Sequence, residues 1–318
     1  MGTEQNLKIL QSIYEDMKPH LEYMFLKTVE NLIIEDGEIK GVMLDNGEQL
    51  YAKYVVLGVG REGSLWLKDI LSQLKVKFKN NQVDIGVRVE TNDIVMEEIN
   101  THLYEGKFIF NASVGTVVRT FCSNPSGYVV IENHRGTVLC NGHAFSDRKL
   151  ASNNTNFAIL VSHEFDEPFD DPNDFAHEIA KLANKLSGGS VIVQRFGDLI
   201  KGRRSTPKRL KEGFVKPTLK EAVPGDLGLV LPYNTMKSIV EMLQALDHVT
   251  PGIASEHTLL YGVEAKFYSA RPETNNKFET KIKNLYVGGD GAGITRGLAQ
   301  AAANGVWIAR DIIEKEVK

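Results

Sequence analysis

The sequence predicts an α+β fold in which a Rossmann-like α/β domain is split by an inserted β-rich domain. Three observations predict it. Near the start, a strand ends in Gly58-Val59-Gly60-Arg61-Glu62-Gly63 and leads into an amphipathic helix. At the far end, an apolar strand over Asn284–Val287 runs into a glycine turn and an alanine-rich helix. Between them, from about Val83, strand-like runs alternate with Gly, Pro and Asn turns. Residues 1–82 and 274–318 are therefore expected to form one domain, and 83–273 the inserted substrate or cap domain.

Leu7, Leu10, Tyr14 and Met17 recur at helical spacing until Pro19 interrupts them, so one short helix opens the chain. Asp36-Gly37 and Asn46-Gly47 divide apolar runs at 28–34, 39–44 and 50–57, and such dipeptides supply the positive φ of tight turns, which predicts a three-stranded meander. Leu67, Ile70, Leu71 and Leu74 then form a helical face, with Ser64 placed to cap it. In the middle, strands are expected over Asp84–Glu90, Val117–Cys122, Tyr128–Ile131, Val138–Asn141 and Phe157–His163, and helices over Asp174–Leu186 and Met236–Leu246. The final helix is expected to run from Thr295 to Glu314.

Composition narrows the function classes. The 318 residues, 42% hydrophobic, suffice for two buried cores, and a net charge of -4 gives no global attraction to nucleic acid or an anionic membrane. No run approaches the roughly 20 apolar residues that cross a bilayer. The two cysteines, Cys122 and Cys140, are spaced unlike a metal knuckle or a redox pair, so a cytoplasmic protein is expected. His102, His134, His143, His163 and His257 show no ligand spacing, and no metal is expected.

The chemistry-bearing stretch is Gly288-Gly289-Asp290-Gly291-Ala292-Gly293-Ile294-Thr295-Arg296-Gly297, with five glycines in ten residues. Glycine lets a ligand touch the backbone, and free amides at a helix start favour an anion such as a phosphate or the negative edge of a reduced flavin. Asp290 suits a ribityl hydroxyl. The same residues also read as a plain close turn, with Arg296 paired to Asp290 or solvated. Gly58-x-Gly60-x-x-Gly63 is formally a dinucleotide fingerprint, but the second parallel strand that such a unit requires falls on Lys75–Asp84, which makes a poor strand. The basic run Lys201–Lys211 lacks interleaved aromatics, and nucleic-acid binding through it is the weakest alternative.

Val55–Ser64, Asn81–Glu90, Arg119–Tyr128, Val193–Arg203, Leu259–Glu264 and Tyr286–Gly297 together resemble the bacterial and archaeal FAD-dependent dehydrogenases related to the two-domain flavoproteins of the glutathione-reductase and hydroxybenzoate-hydroxylase type. The resemblance implies FAD as cofactor and hydride transfer through flavin N5. It places Gly58, Gly60 and Arg61 beside the cofactor, Asp290 on the ribityl chain, and Gly289, Gly291, Gly293, Ile294 and Thr295 along the ring. It also carries a departure: members of that family begin with a GxGxxG turn for the ADP half, and this chain opens after it. The expectation is a truncated or inactive form that binds FAD weakly or not at all. NAD binding at Gly58–Gly63 and a non-catalytic nucleic-acid-binding role through Lys201–Lys211 stay open as rivals. The small-molecule substrate, the electron acceptor and the catalytic acid or base are not assigned.

Overall fold

Strand Val83–Asn92 shows why the middle of the chain folds as a sheet. Val83, Ile85, Val87 and Val89 alternate with Asp84, Gly86, Arg88 and Glu90, so a pleated strand sends the two sets to opposite faces, and both faces are buried. The apolar face shares a core with Phe157, Ile159 and Val161 of strand Asn154–His163 and with Ile239, Met242 and Leu243 of helix Tyr233–Leu246. The other face is a paired polar layer. Arg88 donates to both Glu264 oxygens, at 2.7 and 2.9 Å, and its remaining donors reach the Cys122 carbonyl and the Asn156 and Asn141 side chains. Glu90 accepts from Tyr261 and Thr218.

The structure, a computed structural model, describes residues 2–103, 105–166, 168–169 and 171–317. It divides into two compact units. The first comprises Met1–Pro19, Val83–Phe165 and Asp171–Phe267. Its seven-stranded sheet has the order Val223–Pro224, Ile192–Arg195, Leu259–Lys266, Val83–Asn92, Asn154–His163, Val117–Asn124 and Ile109–Asn111. Every neighbouring pair is antiparallel except the first. A hairpin of Tyr128–His134 with Thr137–His143 lies on the Arg88 face.

The second unit comprises His20–Gln82, Asp166–Asp170 and Tyr268–Lys318. Asp36 and Gly37 both take positive φ and join Val29–Glu35 to Glu38–Leu44 in a two-residue hairpin. The next apolar run does not continue the meander as one strand. Gln49–Tyr51 pairs with Glu38–Leu44, whereas Val55–Leu57 leaves it to pair in parallel with Leu285–Val287. Leu57, Leu67, Leu71, Leu285, Val287 and Ala292 form the core of this unit. Both tryptophans, Trp66 and Trp307, belong to it. Helix Leu298–Val317 buries Asn304, Ile308 and Asp311 but exposes Leu298, Val306, Ile313 and Val317.

Other departures from the sequence reading have local causes. Helix Thr3–Met17 belongs with the β-rich unit, because its first turn is anchored there: the Thr3 amide donates to the Ala144 carbonyl and Glu4 accepts from Ser146. Ser64 does not cap helix Ser64–Gln73; it is the first helical residue, and its hydroxyl donates to the Arg61 carbonyl at 2.6 Å. The last helix begins at Leu298 rather than Thr295. The Gln300 side chain takes the Arg296 amide, so regular bonding starts only where Gly297 accepts from Ala301. Helix Asp93–His102 and the strand Leu259–Lys266, buried along almost its whole length, lie outside the expected elements.

Candidate flavin site

Val55–Leu57 and Leu285–Val287 run side by side, and each ends on a glycine turn, at Gly58–Gly60 and Gly288–Gly291. Turns at the carboxyl ends of adjacent parallel strands are where α/β folds hold ligands. The pairing continues one residue further, with the Gly288 amide on the Leu57 carbonyl at 3.1 Å. The two turns touch. A Cβ on Gly291 would sit 2.2 Å from the Gly60 carbonyl oxygen, so only glycine lets the backbones come this close.

Gly58 needs a different account. Its φ is not in the left-handed region and a Cβ there would meet nothing within 4 Å, so the protein gives no internal reason for glycine. A ligand lying on the backbone supplies one.

The rest of the turn is fixed by its own side chains. The Gly289 amide donates to Asn304 Oδ1 at 2.8 Å, and Thr295 Oγ1 donates to Asp290 Oδ1 at 2.5 Å. Asp290 is thereby oriented while its other oxygen stays available as an acceptor. Among the described residues the backbone amides of Asp290 and Gly291 make no hydrogen bond. Ile294 packs on the core of this unit, and Gly293 takes a positive φ against the Ser269 carbonyl. Arg296 does not pair with Asp290; its guanidinium lies over the Tyr268 ring, 4.0 Å from the centroid. Arg61 is exposed beyond the Gly60 turn, and its carbonyl accepts from Ser64.

An open glycine cradle, unpaired amides and an oriented carboxylate fit the ribityl chain and pyrimidine edge of a flavin, and the residues present therefore suit the flavin part of FAD. They do not form a dinucleotide βαβ unit. After helix Ser64–Gln73 the chain makes only Phe78–Lys79, which pairs antiparallel with Arg271–Pro272 instead of in parallel beside Val55–Leu57. Sequence reasoning missed Asn304 and Tyr268. The single signal for Asn304 is a polar residue inside the alanine-rich stretch Ala301–Gly305.

Behind the turn, Tyr286 donates to Asp311 at 2.7 Å and accepts from Lys315 at 2.6 Å, while Lys315 also binds Glu279 at 2.8 Å. Burial pushes the Tyr286 hydroxyl up to about 12, its bond to Asp311 adds to this, and Lys315 opposes it. Lys315 is also raised: burial acts against its charge, but its bonds to Glu279 and Tyr286 outweigh that. Both folded values lie above the unfolded ones, so the stability they contribute is complete below pH 10 and is lost as pH rises through about 12. Tyr286→Phe is expected to cost about 1.5–3 kcal/mol at neutral pH, the range for bonds to charged groups, and to flatten this alkaline loss. Thermal melts followed by tryptophan emission from pH 8 to 12 check it; an unchanged alkaline slope in the variant contradicts the assignment.

The basic run Lys201–Lys211 has a structural explanation. Arg203 and Arg209 approach the buried Asp198, Lys201 pairs with Glu256, and Lys208 with Glu212. Burial works against the Asp198 charge, but bonds from Ser205 and Arg203 prevail and hold it below the usual carboxylate range. Among the described residues no cluster could hold a metal ion, and no helix is long and apolar enough to cross a membrane.

The chain is similar to known proteins. Residues 82–267 match the family model described as "FAD-dependent protein, C-terminal domain-like". An uncharacterized protein of Clostridium beijerinckii is 28% identical over 338 residues, covering 99% of this chain and 62% of its own length. The tRNA uridine 5-carboxymethylaminomethyl modification enzyme MnmG of Wolinella succinogenes is 24% identical over 289 residues, covering 87% of this chain and 42% of its own. The chain thus spans less than two thirds of the length of either relative. The crystal structure of Pseudomonas aeruginosa PqsL in complex with 2-aminobenzoylacetate aligns with 98% of this chain and 60% of its own, at 13% identity and a TM-score of 0.40. With the matched model covering more than half of its residues, the chain belongs to this family of FAD-dependent proteins, and its cofactor is FAD.

Proposed function

We propose that this chain supplies the flavin half of the FAD site of an oxidoreductase, and that recognition of the ADP half lies outside its described residues. The observation that carries this reading is the open Gly58 beside the touching Gly60 and Gly291 turns. When bound, FAD supplies a two-electron centre that takes or gives hydride at N5. The chain's own part is to hold and orient. Asp290, fixed by Thr295, would hold the ribityl hydroxyls, and the Asp290 and Gly291 amides would stabilise the negative charge that the ring gains on reduction. The dehydrogenase character belongs to the same proposal, and a fingerprint role for Gly58–Gly63 is disfavoured by the antiparallel course of Phe78–Lys79.

The test compares FMN with FAD by flavin fluorescence quenching on the purified chain. With only the flavin half recognised, the two should bind within about threefold of each other. A hundredfold preference for FAD, about 2.7 kcal/mol, would show that the chain grips the ADP half as well and sink the proposal. Gly58→Ala sharpens it. No protein atom opposes the added methyl group, so the fold should stay within about 0.5 kcal/mol of wild type while flavin affinity drops roughly tenfold. Unaltered affinity would remove Gly58 from the site.

A further inference from the structure

We propose that the β-rich unit carries a second binding site, for a nucleoside monophosphate or a ligand of the same chemistry, meaning a planar heterocycle joined to an anionic group. It is a concavity of about 370 Å³, within the size range of small-molecule sites, whose lining residues all belong to that unit. Two aromatic rings, Tyr128 and Phe214, contribute to its walls, and among the described residues Lys216 and Lys220 are the charged ones that line it, with no Asp or Glu.

Phe214 is the first reason to read this as a built site. It stands between the buried Gly213 and Val215, yet 81% of its own surface is exposed, with the His257 ring meeting it edge-on at 4.5 Å. A large aromatic held out to solvent at a cavity rim is a stacking platform for a flat ring. Lys216 is the second. Its ammonium donates to the Lys211 and Gly213 carbonyls at 2.7 and 2.8 Å, which fixes the charge in place with a third donor to spare.

The polar wall is the third reason. Asn154 donates to Glu90 and to the Lys216 carbonyl, and Thr218 donates to the same buried Glu90 at 2.5 Å. Glu90 thus ties two lining side chains into the interior of the sheet, so the wall is rigid before any ligand arrives. Asn153, on the same rim, offers a carboxamide whose donor and acceptor match the edge of a purine. Net positive charge selects the anion, and the aromatic rings select the heterocycle.

Isothermal titration of the full chain with AMP, adenosine and ribose 5-phosphate tests this. AMP should bind at least tenfold tighter than either fragment. Phe214→Ala should weaken AMP and adenosine about tenfold; Lys216→Gln combined with Lys220→Gln should weaken AMP and ribose 5-phosphate while leaving adenosine unchanged. Should the double variant melt early, Lys220→Gln alone carries the charge arm. A short single-stranded oligoadenylate separates the sources: affinity equal to that of AMP assigns a free nucleotide, and tighter, salt-sensitive binding assigns a nucleotide within a strand. Gly58→Ala lies in the other unit and should leave AMP affinity intact, so this proposal and the flavin reading fail separately. No AMP binding at millimolar concentration, or equal binding by wild type and all variants, overturns it.

Discussion

Arg88→Met is expected to destabilise the β-rich unit by about 3–5 kcal/mol, the cost of leaving a buried carboxylate without its partner. Arg88 and Glu264 are almost completely buried, and two hydrogen bonds join them across neighbouring strands. The methionine keeps much of the volume, so the loss comes from Glu264, left with Lys266 at 3.6 Å as its nearest cation. Removing the second charge should reverse much of the damage. Arg88→Met with Glu264→Leu is expected to recover most of the stability, because two apolar residues need no partner in that layer. Thermal and urea unfolding followed by far-UV circular dichroism read both. An Arg88→Met chain that melts like wild type would show the pair to be dispensable.

Gly291→Val is the second large effect, and it acts on fold and site together. The new Cβ would lie 2.2 Å from the Gly60 carbonyl oxygen and 2.7 Å from Val59 Cγ2, so the two glycine turns must separate. Overpacking of this kind costs about 1–3 kcal/mol, and the separation should lower flavin affinity by roughly a hundredfold, or about 2.7 kcal/mol. Tryptophan emission follows the first quantity, because both Trp66 and Trp307 lie in this unit. Fluorescence quenching of added FMN follows the second. Wild-type affinity in a destabilised Gly291→Val chain would separate the turn contact from the cofactor.

What could be read from the sequence was what local pattern encodes. Asp36-Gly37 announced its hairpin because two successive positive φ angles are a property of that dipeptide, and the structure places both residues there. The alternation in Val83–Asn92 announced a strand, but not that its charged face would be buried; that depends on Glu264 and Thr218, which arrive far along the chain. Val55–Leu57 looked like the end of a meander because only its partner Leu285–Val287 reveals otherwise. Leu259–Lys266 has no period of two, since a strand covered on both sides has no polar face to show. The glycine turns were legible as motifs. Their contact, and the unexplained openness of Gly58, required the two strands to be set side by side. Lys201–Lys211 left its alternatives open for a physical reason: a basic run that wraps a buried aspartate looks the same on paper as one that wraps a polyanion.

The outward side of helix Leu298–Val317 has a colloidal consequence. Leu298, Val306, Ile313 and Val317 keep from 53% to 88% of their surface in water and recur at intervals that share much of one side of the rod. In concentrated solution such a strip behaves as a surfactant, drawing molecules together through the solvent it structures, more strongly in sulfate and less in urea. Replacing these four aliphatic side chains with polar ones is therefore expected to lessen the sulfate-promoted association of the isolated chain.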